Sequence, residues 1–172
     1  NTQPDVIIKK NCIENLLSKV DDYPNFAILR PTIFHNTSYL VDGDYKTLKI
    51  YKKKYKEVGK IKFNQAYMKP PEGDLTVDGV TGTAMLIDRE KLKLINDWDT
   101  NIFNYFEDMD LCLRFRLKGF EIIKIRSAEV DHDAFASHDK SLSKQLDFSR
   151  NWHYSWSRFY FLKKHTTILG AY

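Results

Sequence analysis

Between Asn104 and Phe115 the chain reads NYFEDMDLCLRF, so Glu107, Asp108 and Asp110 fall within four positions and are bedded among Phe103, Tyr105, Phe106 and Met109. A carboxylate at a helix N-terminus, walled by aromatic rings, stays ionised yet is dry enough to take a proton from a substrate hydroxyl. A structural reading competes for the same pattern. Asn104 followed three residues later by Glu107 has the form of a capping box, and acids in a first turn are favoured by the helix dipole. Capping accounts for Glu107 and in part for Asp108; it leaves the apolar bedding and Asp110 unexplained.

A second group with chemical potential is EVDHDAFASH, where His132 stands between Asp131 and Asp133 just past the expected end of a strand. Alone, such a histidine is ordinarily a hydrogen-bonded surface residue; with an oxygen ligand brought beside it, it can hold a metal. Asp5, in NTQPDV at the opposite end of the chain, is the candidate partner. In LTVDGVTGTAMLID the glycines interrupt a strand, a mark of close approach by a ligand or another backbone.

These residues need elements to position them. Ile13, Leu16, Leu17 and Val20 have the spacing of an amphipathic helix with Asn11 as its N-cap. FAILRPTIF predicts a buried strand ending near Pro31, and 36–63 a lysine-rich strand pair, followed by a Pro/Gly loop at 69–73. A helix is expected over Arg89–Ile95 and another from Asn104 to about Lys118, closed by Gly119. Glu121–Arg126 and Ala128–His132 predict two short strands, and Leu142–His165 a long aromatic helix. Alternating helices and strands give an α/β domain.

With 172 residues, 42% of them hydrophobic, the chain has material for one ordinary core, hence a single domain over 1–172 with an aromatic-basic C-terminal stretch at 142–172. Cys12 and Cys112 lie far apart and form no CxxC pair, which suits a reducing compartment. No apolar run is long enough to span a membrane. The expected location is cytoplasmic, with peripheral contact at the inner face of the membrane as an option. The net charge of +4 includes eight lysines between Lys46 and Lys62. No helix-turn-helix, zinc-finger or RNP signature accompanies them, so no nucleic-acid partner is expected. In the terminal helix Trp152, Tyr154, Trp156, Phe159, Tyr160 and Phe161 lie near Arg158, Lys163 and Lys164, a pattern of core packing or of an interfacial surface on anionic lipid.

VTGTAMLIDREKL, then WDTNIFNYFEDMDLCLRFRLKGFEIIKI, then AEVDHDAFAS resembles, in order and spacing, the second half of the family 2 inverting glycosyltransferases of the GT-A fold, particularly the bacterial rhamnosyltransferase-like branch. The resemblance covers Asp78 to Ser137 well and Asn1 to Ile33 more weakly. It implies a GT-A-like mixed sheet flanked by helices, without the N-terminal nucleotide-binding β-α-β half with which the family begins. It further implies sugar transfer with inversion from a nucleotide-diphosphate sugar donor to a glycan or lipid-linked acceptor, in cell-surface polysaccharide synthesis. On the matching positions, Asp108 would be the general base. Gly82, Thr83, Trp98, Glu107 and Asp110 would line the acceptor side, Gln3 and Asp5 would face the donor, and Asp5 with His132 would hold Mn²⁺ or Mg²⁺. Two positions depart from the family pattern: Gln3 stands where an Asp or Asn is usual, and Trp98 replaces the phenylalanine of a GxFD turn. A non-catalytic GT-A-like module, binding a glycan or serving as a scaffold, is the alternative.

Overall fold

The computed structural model describes residues 1–35, 38–39, 70, 72–132 and 143–165. At its centre run two parallel strands, β2 (Phe26–His35) and β6 (Glu121–His132). The first eight residues of β2 are all buried, as a near-continuous apolar run covered on both faces should be. The remaining strands are short and antiparallel. Toward one end, β4 (Leu75–Val77) pairs with β6 and β5 (Leu86–Ile87) with β2; toward the other, β1 (Val6–Ile8) pairs with β6 and β3 (Ser38–Tyr39) with β2. The sheet is therefore mixed, and the fold is α/β.

The two ends are joined across an irregularity that the sequence reading misjudged. Pro31 lies opposite Ile125, but the next residue, Thr32, lies opposite Glu129. Arg126, Ser127 and Ala128 are the extra residues on β6. A proline has no N–H for the ladder and is tolerated at such breaks. Here the Thr32 hydroxyl donates to the Ile125 carbonyl at 3.1 Å and closes the gap. Hence β2 does not end near Pro31, and the two strands expected on either side of Ser127 are one. The continuation matters functionally, because the last residue of β6, His132, is thereby brought opposite Val6, next to Asp5.

Helices cover both faces. Alternate residues of β6 divide between two cores: Ile123 and Ile125 join Cys12 and Leu16 of α1 (Cys12–Leu17), whereas Ile122 joins Leu111, Cys112 and Phe115 of α3 (Glu107–Leu117). In α1 the expected apolar face is only half right. Leu16 is buried and Val20 packs on its cluster, but Ile13 and Leu17 are exposed. Asn11, in the left-handed region at φ 60, starts the helix so that Cys12 and Leu16, one turn apart, point inward; its side chain makes no cap hydrogen bond.

The short helix α2 (Arg89–Leu94) is capped by Asp88, whose Oδ1 accepts from the N–H groups of Glu90 and Lys91. α3 begins at Glu107 rather than Asn104, and ends as predicted at Gly119. With φ +87, Gly119 lets its own N–H bond to Arg116 and that of Phe120 to Phe115, while the Phe115 and Phe120 rings meet edge-on at 6.3 Å.

The last helix, α4 (Ser143–His165), packs on α3 through Phe161, which clusters with Leu113, Phe106 and Met109. Core packing accounts for only part of its aromatic content: Phe148 is 77% exposed and Trp152 63%. The lysine-rich strand pair expected over 36–63 lies outside the described residues apart from Ser38–Tyr39. Among the described residues no helix is long and apolar enough to cross a membrane.

Candidate active site

The first turn of α3 is entered through two consecutive aromatic residues in left-handed backbone, Tyr105 at φ 64 and Phe106 at φ 66. Such conformations cost on the order of 1–3 kcal/mol each and persist only where the surroundings enforce them. Three contacts do so. The Ser157 hydroxyl of α4 donates to the Asn104 carbonyl at 2.7 Å, and the Phe106 ring lies 5.4 Å from both Tyr154 and Phe161. The capping box expected from Asn104 and Glu107 does not form. Asn104 Oδ1 accepts from the adjacent Tyr105 N–H at 3.1 Å, and Phe106 occupies the N-cap with no side-chain cap.

Entering this way, α3 presents Asp108 to the glycine segment between β4 and β5. Asp108 Oδ2 accepts the Gly82 N–H at 2.9 Å and Oδ1 the Met109 N–H at 2.7 Å. Two backbone N–H groups thus orient the carboxylate. A side chain at Gly82 would stand over this group: a Cβ there would lie 3.9 Å from Asp108 Cβ and 4.0 Å from Oδ2, ordinary contact distances that fill the approach without a clash.

The same segment ties Asp108 to the opening of the chain. The Asn1 amino group donates to the Met85 carbonyl at 2.9 Å, Met85 N–H returns to Asn1, and Gln3 N–H donates to the Thr83 carbonyl at 2.9 Å. Residues 1–3 thus run beside 83–85, next to Gly82 and hence to the α3 carboxylate. Two residues beyond Gln3, Asp5 meets His132, with Oδ1 and Nε2 3.5 Å apart. Asp5 Oδ1 is buried and has no hydrogen-bond partner among the described residues. A buried carboxylate oxygen facing an imidazole nitrogen is a donor pair that suits a divalent cation, the remaining positions falling to phosphate oxygens and water. Among the described residues no third His, Cys, Asp or Glu completes a protein-only site.

The other expected site residues are distributed unevenly. Glu107 stands beside Asp108, with Oε2 buried and lacking a hydrogen-bond partner among the described residues; burial, with the Asp108 charge adding to it, pushes its carboxyl up to about 6. Asp110 turns away from them. It is completely buried, 2.7 Å from Arg114 Nε, 2.8 Å from Lys164 and 2.6 Å from His165. Burial opposes its charge, but the hydrogen bonds from His165 and Lys164 and the Arg114 charge hold its carboxyl below the ordinary range. It therefore offers no exposed atom for the acceptor contact expected of it. Thr83 is likewise buried, its hydroxyl 3.1 Å from that of Thr81. Trp98 is half-buried against the cluster of Ile95, Leu111 and Cys112, and the Gln3 side chain is exposed.

Several participants escaped the sequence reading. Asp99 binds both Asn101 and the end of α4, accepting from Tyr160 at 3.1 Å and Lys164 at 2.6 Å. Burial works against its charge, yet Lys164 and Asn101 hold its carboxyl far below the usual range. Arg30, fully buried in β2, reaches Thr81 Oγ1 at 3.4 Å. Cys112 bonds Val80 through its sulfur; burial pushes its thiol up to about 12, Asp108 acting in the same direction and Arg30 against it. It is a neutral packing residue. An Asp four residues ahead of an Arg, as in Asp110 and Arg114, was the one available signal that Asp110 belonged to a helix-surface ion pair.

No protein-family model matches the chain. Over 66 residues it is 35% identical to rhamnosyltransferase WbbL of Escherichia coli (strain K12); the matched stretch is 38% of this chain and 24% of that protein. The chain thus matches about a quarter of the length of that relative, and through that stretch it is similar to a sugar-transferring enzyme.

Proposed function

We propose that the chain is the acceptor- and metal-binding part of an inverting glycosyltransferase. The observation that carries this reading is the connection that links six expected site residues in series: Asp108 on Gly82, Gly82 next to Thr83, Thr83 on Gln3, and Asp5 two residues further, facing His132. The partial similarity to a rhamnosyltransferase supports the same class.

In this reading the acceptor hydroxyl approaches over Gly82 and gives its proton to a carboxylate oxygen of Asp108. Its oxygen forms a bond to the anomeric carbon from the face opposite the diphosphate, and the departing nucleoside diphosphate keeps the electron pair of the broken C–O bond. Asp5 and His132 would hold the divalent cation, Mn²⁺ or Mg²⁺. When bound, such an ion supplies neutralisation of charge on the diphosphate. The Gly82 and Met109 N–H groups keep the Asp108 carboxylate in one orientation, so little reorganisation precedes proton transfer. Glu107, walled off beside it, adds a second negative charge above about pH 6.

Calorimetry of a nucleoside diphosphate with and without Mn²⁺, on the full-length protein, tests the donor side. Metal-dependent binding lost in both Asp5→Ala and His132→Ala supports the reading; binding that ignores the metal and both substitutions removes it and leaves the alternative of a non-catalytic glycan-binding module.

The outward stripe of α4 bears on the acceptor. Phe148, Trp152 and Trp156 are exposed, and Lys144, Arg158 and Lys163 are exposed around them. Tryptophan with lysine and arginine is the composition of a surface that rests on anionic lipid headgroups. This face suits an acceptor carried on a lipid.

A further inference from the structure

Between the loop that enters α3 and the flank of α4 lies an open groove of about 390 Å³, lined by Tyr105, Asp147, Arg150, Asn151 and Tyr154. We infer that this groove is a carbohydrate-binding subsite for the acceptor glycan, a proposal that rests on the sugar-transfer reading and gives its acceptor side a location.

The lining has the two chemistries a pyranose requires. A sugar ring is amphipathic, with faces of weakly positive C–H groups and an equator of hydroxyls. Aromatic faces carry negative charge density and receive the former; amides, carboxylates and guanidinium groups pair with the latter. Here the Tyr105 and Tyr154 rings meet edge-on with centroids 5.8 Å apart, and Tyr154 is 49% exposed. Asn151 and Arg150 sit about one turn along α4 from Tyr154, and Asp147 about two. Asp147 and Arg150 are paired at 3.3 Å, which places an acceptor and a donor side by side.

The groove is fixed to the loop that leads into the candidate base. Tyr105 comes three residues before Asp108, and its left-handed backbone is continued by Phe106, whose ring contacts Tyr154. The Ser157 to Asn104 hydrogen bond locks the same loop to α4. Strained backbone held by a neighbouring element next to a reactive group is a recurring mark of a binding platform. Packing alone does not require it, since Phe106 and Phe161 already join the two helices on the inner side.

Saturation-transfer-difference NMR on the full-length protein, with maltose, cellobiose, chitobiose and a rhamnose disaccharide as probes, tests the groove. At least one probe should receive saturation on its ring C–H protons. Tyr154→Ala should weaken its binding about tenfold or more, Asn151→Ala less, and Tyr154→Phe should retain most of it, with the thermal midpoints of Asn151→Ala and Tyr154→Phe near the parental value. No saturation for any probe, or binding in Tyr154→Ala equal to the parent, overturns the proposal. The outcomes separate from those for the transfer reading: metal-dependent nucleotide binding without disaccharide binding removes the groove and keeps the transferase. Disaccharide binding at Tyr154 without nucleotide binding keeps the groove as a glycan site and removes the transferase.

Discussion

The two sides of the first turn of α3 treat the same chemical group in opposite ways. On the Gly82 side, Asp108 accepts one backbone N–H on each oxygen and faces a residue without a side chain. On the α4 side, two positions later, Asp110 is sealed among Arg114, Lys164 and His165. Residue type is shared and sequence position almost so; the partners differ. Backbone donors orient a carboxylate, whereas Arg114, Lys164 and the His165 ring make Asp110 a fastening between helices. The difference fits the proposed base at Asp108 and gives Asp110 an architectural part.

The largest effect that would sharpen this contrast is on stability. Asp110→Asn takes the carboxylate from Arg114 and from the His165 ring in a buried seam, Lys164 keeping Asp99, and removing one partner of a buried ion pair costs about 3–5 kcal/mol. Urea unfolding should show that loss. Because the folded-state value of Asp110 lies below its unfolded one, its contribution is present above the ordinary carboxylate range, near pH 4, and declines as pH falls through the folded value. The parent should lose stability on acidification below about pH 4, and Asp110→Asn should lose less. An unchanged urea midpoint at pH 7 would break the contrast.

A smaller effect is expected at Gly82. The added methyl of Gly82→Ala meets Asp108 at 3.9–4.0 Å, so the fold should tolerate it while access to the carboxylate narrows. Turnover should fall about tenfold with the urea midpoint nearly unchanged. Loss of stability in step with turnover would mean that Gly82 serves packing alone.

Glu107 gives a subtler test. Its carboxyl is pushed up to about 6, above its unfolded value, so stability declines as pH rises from about 4.5 through 6. Glu107→Gln should therefore be more stable than the parent at pH 8, by on the order of 1 kcal/mol, and no more stable at pH 4. Its ionisation beside Asp108 should also raise turnover through pH 6, and that rise should vanish in the same variant. The smallest effect concerns α4. Replacing Trp152 and Trp156 by Ala should reduce co-sedimentation with liposomes containing phosphatidylserine and leave neutral liposomes unaffected; equal sedimentation of parent and variant would count against the lipid surface.

Much of this arrangement was legible because it is local. Gly119 closing α3 and the short helix beginning at Arg89 each rest on signals within a few residues, and both form as read. The juxtaposition of Asp5 and His132 followed from the resemblance and is realised through the β1–β6 pairing. What failed depended on distant partners. Pro31 reads as a strand end unless Thr32 and the extra residues of β6 are known to bridge it, and Asn104 reads as a cap unless Ser157 is known to hold its carbonyl. Asp110 reads as a third acid of one site because the two residues that seal it from α4, Lys164 and His165, are more than fifty positions away.

The most direct test is the turnover of Asp108→Asn in the full-length protein, alongside its affinity for nucleoside diphosphate. Asparagine preserves the shape and an oxygen for the Gly82 N–H but cannot accept the proton. The expected result is a kcat lower by roughly 10² to 10⁴, with nucleotide affinity and folding unchanged. Sugar transfer at the parental rate by that variant would contradict the assignment of Asp108 as the base.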